Sequence, residues 1–183
     1  MMISAWLFLA GMYLHLILSV AVPASILLAG KYEFMGHGFI DALLAFYFFV
    51  IAAVHVTGWI CVAAAVSAGR KGQLQLLCRG WRLLKLGAIP FFVLNFLYSF
   101  LVWFLFVAAS RGIFALLLPI PIGITCLLIF QTGCVGICCL RLLRRQPVPV
   151  PGKVHYLLQL IPVVDVVSTV MVLAGERKKG EGF

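Results

Sequence analysis

Residues 69–85 read GRKGQLQLLCRGWRLLK, a basic segment set between two long apolar runs. The segment holds five of the fourteen basic residues of the chain: Arg70, Lys71, Arg79, Arg82 and Lys85. A basic segment between membrane spans stays in the cytoplasm, because moving Lys and Arg across the bilayer next to a span is disfavoured. The segment therefore predicts a polytopic membrane protein and sets the expected direction of every span.

The composition of the chain agrees with a membrane protein. Of 183 residues, 64% are hydrophobic and 10% are charged, whereas soluble domains contain about 25% charged residues. A soluble fold of this size has no room to bury so much apolar surface. The net charge of +9 does not indicate nucleic-acid binding, because the basic residues lie at the ends of apolar runs. Anionic lipid headgroups are the partners that this pattern favours.

Four apolar runs are long enough to cross the membrane as helices. A helix needs about 20 residues to cross the hydrocarbon core, and each run exceeds that length. We expect an all-α membrane protein, a four-helix transmembrane bundle forming a single membrane domain. The expected spans are residues 3–29, 42–69, 87–110 and 113–140.

Two further segments are predicted to be interfacial helices. Within residues 73–85, Leu74, Leu77, Trp81 and Leu84 follow helical spacing and form an apolar stripe. This pattern is typical of an amphipathic helix lying on the cytoplasmic surface, with Trp81 as its anchor. The predicted lipid contacts are Arg70, Lys71, Arg79, Trp81, Arg82 and Lys85.

The second interfacial segment is residues 154–174. Basic clusters flank it on both sides, Pro162 interrupts it, and Asp165 at the bilayer centre would cost about 2.5–3.5 kcal/mol. We expect this segment to lie on the membrane or to dip into it, with a span as the alternative. Twelve basic residues then lie on one side of the membrane and two, Lys31 and Arg111, on the other. This distribution predicts a plasma-membrane protein with both termini in the cytoplasm.

Polar residues within the spans are candidates for function, because polar groups in lipid are costly. If the first two spans form a hairpin centred near residue 35, His15 and His55 lie at similar depth. They are candidates for holding helices together, for a proton or substrate path, or for binding a metal. Asn95 and Gln131 lie about ten residues from the cytoplasmic ends of their spans and are expected to hydrogen-bond each other across the helices.

Small residues recur every four positions along the second span, at Ala53, Thr57, Cys61, Ala65 and Gly69. Such a ladder lets another helix approach closely, either within the bundle or in a dimer. The six cysteines are interpreted mainly as small apolar fillers, because their spacing does not match a disulfide framework. Cys134, Cys138 and Cys139 would also suit a soft metal or an acyl group.

The sequence contains none of the common catalytic or cofactor motifs, so we expect a protein that is not an enzyme and has no cofactor. The stretches KLGAIPFFVLNF, residues 85–96, and IPVVDVVSTV, residues 161–170, resemble small uncharacterised bacterial proteins with four hydrophobic spans and basic cytoplasmic loops. The resemblance implies no activity.

The expected role is that of an accessory or assembly subunit that acts through helix packing and lipid contact. It would associate with another membrane protein or with its own copies. The alternative is a small transporter or channel subunit, in which His15, His55, Asn95 and Gln131 line a polar path.

Overall fold

The computed structural model describes residues 1–29, 37–109, 111 and 119–143. Within this part of the chain the secondary structure is helical, without strands. The helices are α1 (Met2–Ala29), α2 (His37–Arg70), α3 (Leu74–Ala109) and α4 (Pro119–Leu143). All four are long and apolar enough to cross a membrane. The sequence prediction of an all-α fold with four spanning helices is confirmed.

Helices α1 to α4 pack in the order α1, α2, α4, α3 around the bundle. The most extensive interface is between α1 and α2, followed by the pairs α2–α4 and α1–α3, and then α3–α4. Large apolar side chains fill the centre, where Phe8, Met12, Phe91 and Leu128 are almost completely buried. Helices α1 and α3 also approach closely, because a Cβ atom on Gly87 of α3 would lie 2.8 Å from Cδ1 of Leu9 in α1.

Helix α2 ends in a Schellman motif that leads directly into α3. The amide of Gln73 donates to the Ala68 carbonyl over 3.0 Å, and the amide of Gly72 donates to the Gly69 carbonyl over 3.3 Å. Gly72 has a φ of +68°, a left-handed conformation that costs a residue with a Cβ atom about 1–2 kcal/mol. The whole connection is three residues long.

Exposed cations at the ends of three helices lie at the same end of the bundle as this turn, and we call it the basic end. It is defined by Arg70 at the end of α2, Lys71 directly after it, Arg79 on α3 and Arg141 on α4. Helices α1 and α3 begin at this end, and α2 and α4 finish there. The neighbouring pairs α1–α2 and α3–α4 therefore run antiparallel, whereas the pairs α1–α3 and α2–α4 run parallel.

The prediction of a separate interfacial helix over residues 73–85 is wrong. Leu74–Ala109 is one continuous helix of 36 residues, and the predicted span 87–110 is its second part. Pro90 lies inside this helix instead of at its start. A proline removes one backbone N–H and disturbs the preceding turn, and here the hydroxyl of Tyr13 donates to the carbonyl of Gly87 in that turn, 2.9 Å away.

Two other boundaries differ from the prediction. Helix α2 begins at His37, so Gly38 and Asp41 are helical and do not form a loop. Helix α4 extends to Leu143, three residues past the predicted end. Pro119 and Pro121 lie in its first turn, as expected from the tolerance of proline at helix starts. The C-terminal segment 154–174 lies outside the described residues.

Candidate functional site: polar contacts between the helices

The polar residues selected from the sequence lie inside the bundle, but they do not form the predicted pairs. In the contact between α1 and α2, Gly11 faces Val54, where a Cβ atom on the glycine would lie 2.9 Å from Cγ2 of Val54. In an antiparallel pair this register places His15 opposite Val50. His55 is five residues away, about 7 Å along a helix that rises about 1.5 Å per residue. The two imidazoles are therefore at different depths, and the prediction of similar depth is wrong.

His15 stacks on an aromatic ring of the neighbouring helix. Its imidazole is parallel to the phenol ring of Tyr47 in α2, with an interplanar angle of 3° and centroids 5.5 Å apart. The His15 side chain is buried, and its Nδ1 has no hydrogen-bond partner within the described parts of the chain. The stack fixes the orientation of the imidazole and leaves one polar atom of the ring unsatisfied.

His55 contacts Gln131 instead. The side-chain Nε2 of Gln131 in α4 donates to the backbone carbonyl of His55 in α2 over 3.0 Å. The side-chain Oε1 of Gln131 lies 3.4 Å from Nδ1 of His55, which donates to it when the imidazole carries its proton there. Gln131 is completely buried. One amide thus contacts both the main chain and the side chain of His55.

Gly58 provides the space that this amide occupies. A Cβ atom on Gly58 would lie 2.5 Å from Oε1 of Gln131 and 2.9 Å from Cε2 of Phe8. Real Cβ atoms essentially never show contacts this short, so the absence of a side chain at residue 58 lets α1, α2 and α4 pack closely here. We call His55, Gly58 and Gln131 the α2–α4 clamp.

Asn95 pairs with a threonine, and the predicted bond between Asn95 and Gln131 is wrong. Nδ2 of Asn95 in α3 donates to Oγ1 of Thr125 in α4 over 3.1 Å. Cys78 also contacts Cys139, with their Sγ atoms 3.2 Å apart, which gives nearly the same register between these antiparallel helices. In that register the residue opposite Gln131 is near Ala88, about two turns from Asn95.

Two tyrosines make interhelical bonds that the sequence reasoning did not include. Tyr13 donates to the Gly87 carbonyl, as described above, and Tyr98 of α3 donates to the carbonyl of Ser19 in α1. A partial signal was present, since Pro90 lacks the N–H that would donate to the Leu86 carbonyl and disturbs the turn that contains Gly87. Both bonds join α1 to α3.

One family model matches nearly the whole length of the chain. A family model described as a family of unknown function, DUF6652, matches residues 4–178. The chain belongs to this family. No curated protein and no solved structure shows significant similarity to it. The polar contacts of this DUF6652 member are therefore interpreted from their own geometry.

Only part of the predicted lipid-contact set lies on the surface of the family member. Arg70, Lys71 and Arg79 are exposed at the basic end, and Arg82 is half-buried. Trp81 is only 1% exposed and Lys85 only 4%, so the prediction that both contact lipid is wrong. The reason is that the stripe predicted to face the membrane packs against the neighbouring helices. Its members Leu77 and Leu84 are also fully buried.

The small-residue ladder of α2 also lies inside the bundle. Cys61 and Ala65 are completely buried, and Ala53, Thr57 and Gly69 are partly buried. This supports packing within the chain, the first of the two interpretations. The described residues contain no cluster of three or more His, Cys, Asp or Glu that is arranged to hold a metal ion.

Taken together, the polar side chains join pairs of helices. The α2–α4 clamp, the Asn95–Thr125 bond and the two tyrosine bonds connect α2 with α4, α3 with α4, and α1 with α3. Hydrogen bonds of this kind contribute about 0.6 kcal/mol each on average, and up to about 1.7 kcal/mol. Their chemistry is suited to fixing the relative positions of helices.

Proposed function

We propose that this protein is a non-enzymatic accessory or assembly subunit of a membrane complex, acting through helix packing and lipid contact. The observation that carries the proposal is the use of its buried amides. Gln131 contacts His55 and Asn95 contacts Thr125, so these groups hold helices together and do not face a shared path. Bulky apolar side chains such as Phe8, Phe91 and Leu128 fill the centre between them.

The outer surface supports the same proposal. Phe96, Phe100 and Phe104 stack successively along α3, with centroids 6.4 and 6.3 Å apart, and all three are about two-thirds exposed. A row of exposed aromatic rings on a spanning helix suits contact with acyl chains or with another spanning helix. At the basic end, Arg70, Lys71 and Arg79 are in a position to attract anionic headgroups, at about 1 kcal/mol for each charge near the surface.

The test of the proposal is association. A photo-crosslinking residue at Phe100, in cells, is expected to capture a membrane protein or a second copy, and a matched residue at buried Phe91 is expected to capture neither. The molecular mass of the purified protein in lipid discs then distinguishes association with a second copy from association with another membrane protein. Monomers in discs, together with no capture in cells, would contradict the proposal.

The proposed location is the plasma membrane, with the basic end in the cytoplasm. The excess of cations at that end supports this orientation. Gln73→Cys at the basic end and Asp41→Cys at the opposite end are both at exposed positions. A membrane-impermeant maleimide added to intact cells is expected to label the Asp41→Cys variant only, above the background of the native cysteines. Labelling of the Gln73→Cys variant alone would reverse the orientation.

A second candidate function is that of a small transporter or channel subunit. The observation that favours it is Nδ1 of His15, a buried polar atom without a hydrogen-bond partner in the described helices, because unsatisfied polar groups at membrane depth often mark ion or proton pathways. Vesicle flux measurements on the wild type and on the His15→Ala and His55→Ala variants test it. Equal leakage in all three would rule out this function.

A further inference from the structure

Two cysteines from different helices are in contact at the basic end. Sγ of Cys78 on α3 lies 3.2 Å from Sγ of Cys139 on α4, although the residues are 61 positions apart. Neither is in a disulfide. A disulfide bond is about 2.05 Å long, so the two sulfurs must approach by about 1 Å to form one.

The surroundings of the pair give a polar oxidant access to it. Cys78 is half-buried and precedes Arg79, which is exposed. Cys139 is buried and lies two residues before Arg141, which is also exposed. Exposed arginines on both helices place the pair near the level of the lipid headgroups, where water and small polar molecules reach it. Cys78 is the more accessible sulfur and Cys139 the more protected one.

We propose that Cys78 and Cys139 form a reversible disulfide that joins α3 to α4 when the basic end is exposed to hydrogen peroxide. The Cys78 thiolate attacks the peroxide, an S–O bond forms, and the O–O bond breaks to release one water after protonation. The Cys139 thiolate then attacks the sulfenic sulfur, the S–S bond forms, and the S–O bond breaks to release a second water. The two sulfurs lose two electrons, the peroxide gains them, and both thiol protons end in water.

The reverse reaction needs only a small thiol. One thiolate attacks the disulfide and forms a mixed disulfide, and a second releases it, so the small thiol is oxidised and both cysteines are restored. The bond would hold the basic ends of α3 and α4 together while the Asn95–Thr125 bond joins them at a deeper level. Oxidation would thereby fix the relative positions of the two helices at two points. This inference does not depend on the proposed function.

The test uses the full-length protein in lipid discs, with hydrogen peroxide as the probe. After oxidation and denaturation, alkylation with a maleimide polymer counts the remaining thiols. The wild type is expected to lose two of its six thiols and to regain them with dithiothreitol, with a raised melting temperature in the oxidised form. Cys78→Ser is expected to keep all five of its remaining thiols. Cys139→Ser is expected to lose at most one, the Cys78 thiol that peroxide converts to a sulfenic acid, and to form no link between α3 and α4. The matched controls Cys138→Ser and Cys126→Ser are expected to lose two, like the wild type.

Mass spectrometry of the oxidised wild type provides a readout that does not depend on whether the variants fold. After digestion with trypsin, the peptide of residues 72–79 is expected to be joined to that of residues 112–141, with the loss of two hydrogens. Loss of the link in Cys138→Ser with retention in Cys139→Ser would overturn the assignment of the partner. Absence of the linked peptide from the peroxide-treated wild type, or thiol loss that dithiothreitol does not reverse, would overturn the proposal itself.

Discussion

Nε2 of Gln131 donates a hydrogen bond to the backbone carbonyl of His55, 3.0 Å away on the neighbouring helix. The carbonyl belongs to the main chain of α2, so the bond is present in either tautomer of the imidazole. The contact joins α4 to α2 at a position where Gly58 leaves room for the amide. It explains why the polar side chain of Gln131 is completely buried in a largely apolar helix.

Replacing Gln131 with leucine is expected to lower the free energy of unfolding by about 1 kcal/mol. The substitution keeps the volume of the side chain and removes its hydrogen bond, whose contribution in membranes is about 0.6–1.7 kcal/mol. Reversible unfolding in mixed detergent micelles measures the change. The matched control Gln75→Leu makes the same substitution at an exposed position and is expected to have no effect. Equal stability of the Gln131→Leu variant and the wild type would show that the clamp contributes nothing.

Replacing Gly58 with alanine is expected to destabilise the bundle by about 1–3 kcal/mol, the usual cost of overpacking. The new methyl group would overlap Oε1 of Gln131 and Cε2 of Phe8 and would displace the amide from the His55 carbonyl. Gly123→Ala is the control, because a Cβ atom there has no neighbour within 4 Å among the described residues. That variant is expected to be unchanged or slightly stabilised, since alanine favours helix over glycine.

The effects of Gly58→Ala and Gln131→Ala on stability are expected to be non-additive. Alanine at position 131 removes the side-chain atoms that the methyl group on residue 58 would strike. Gly58→Ala should therefore cost less in a Gln131→Ala background than in the wild type, as expected for residues in contact. The same unfolding measurement on the four proteins gives the difference. Simple addition of the two effects would mean that the overlap with Phe8 dominates.

Replacing Gly72 with alanine is expected to cost about 1–2 kcal/mol, because the residue has a φ of +68° in the turn between α2 and α3. The neighbouring Gly69→Ala is a suitable control, since its Cβ atom would lie 4.0 Å from the nearest atom, Cδ2 of Leu77. Thermal melting of both variants in lipid discs measures the effect. A Gly69→Ala variant less stable than Gly72→Ala would contradict this interpretation of the turn.

Replacing Phe8 with alanine is expected to destabilise the bundle by about 3–5 kcal/mol, the cost of deleting a buried aromatic ring. Phe8 is fully buried, whereas Phe100 is 68% exposed. Phe100→Ala is therefore expected to change the stability of the isolated bundle by less than about 0.5 kcal/mol. Unfolding of the purified variants compares them. A large effect of Phe100→Ala in monomeric protein would mean that the aromatic row on α3 is packed against the chain itself.

The fold was predictable from the sequence, because the length and hydropathy of a run decide whether it crosses a membrane. The registers between the helices were not predictable from the sequence. From the sequence, the depth of a polar residue is known only as its distance from the last charge before a span. This distance places the start of the third helix near residue 87, whereas α3 begins at Leu74. The error moved Asn95 and Gln131 to the same level, although Asn95 contacts Thr125.

The apolar stripe around Trp81 shows a second limit of the sequence. Helical spacing identified Leu77, Trp81 and Leu84 correctly as one face of a helix, but the spacing is the same for a helix on the membrane surface and for one inside a bundle. The five cations within residues 69–85 favour a helix on the membrane surface. The structure buries Trp81 and Lys85, because Pro90 does not end the helix and α3 continues alongside α1. Only contacts between helices distinguish the two cases.

The connection between α2 and α3 has a mechanical consequence. Three residues, 71–73, leave no slack between the two helices, and Gly72 fixes the path of the backbone. A displacement of the end of α2 along the bilayer normal would therefore also displace the start of α3, the helix that carries Cys78 and Asn95.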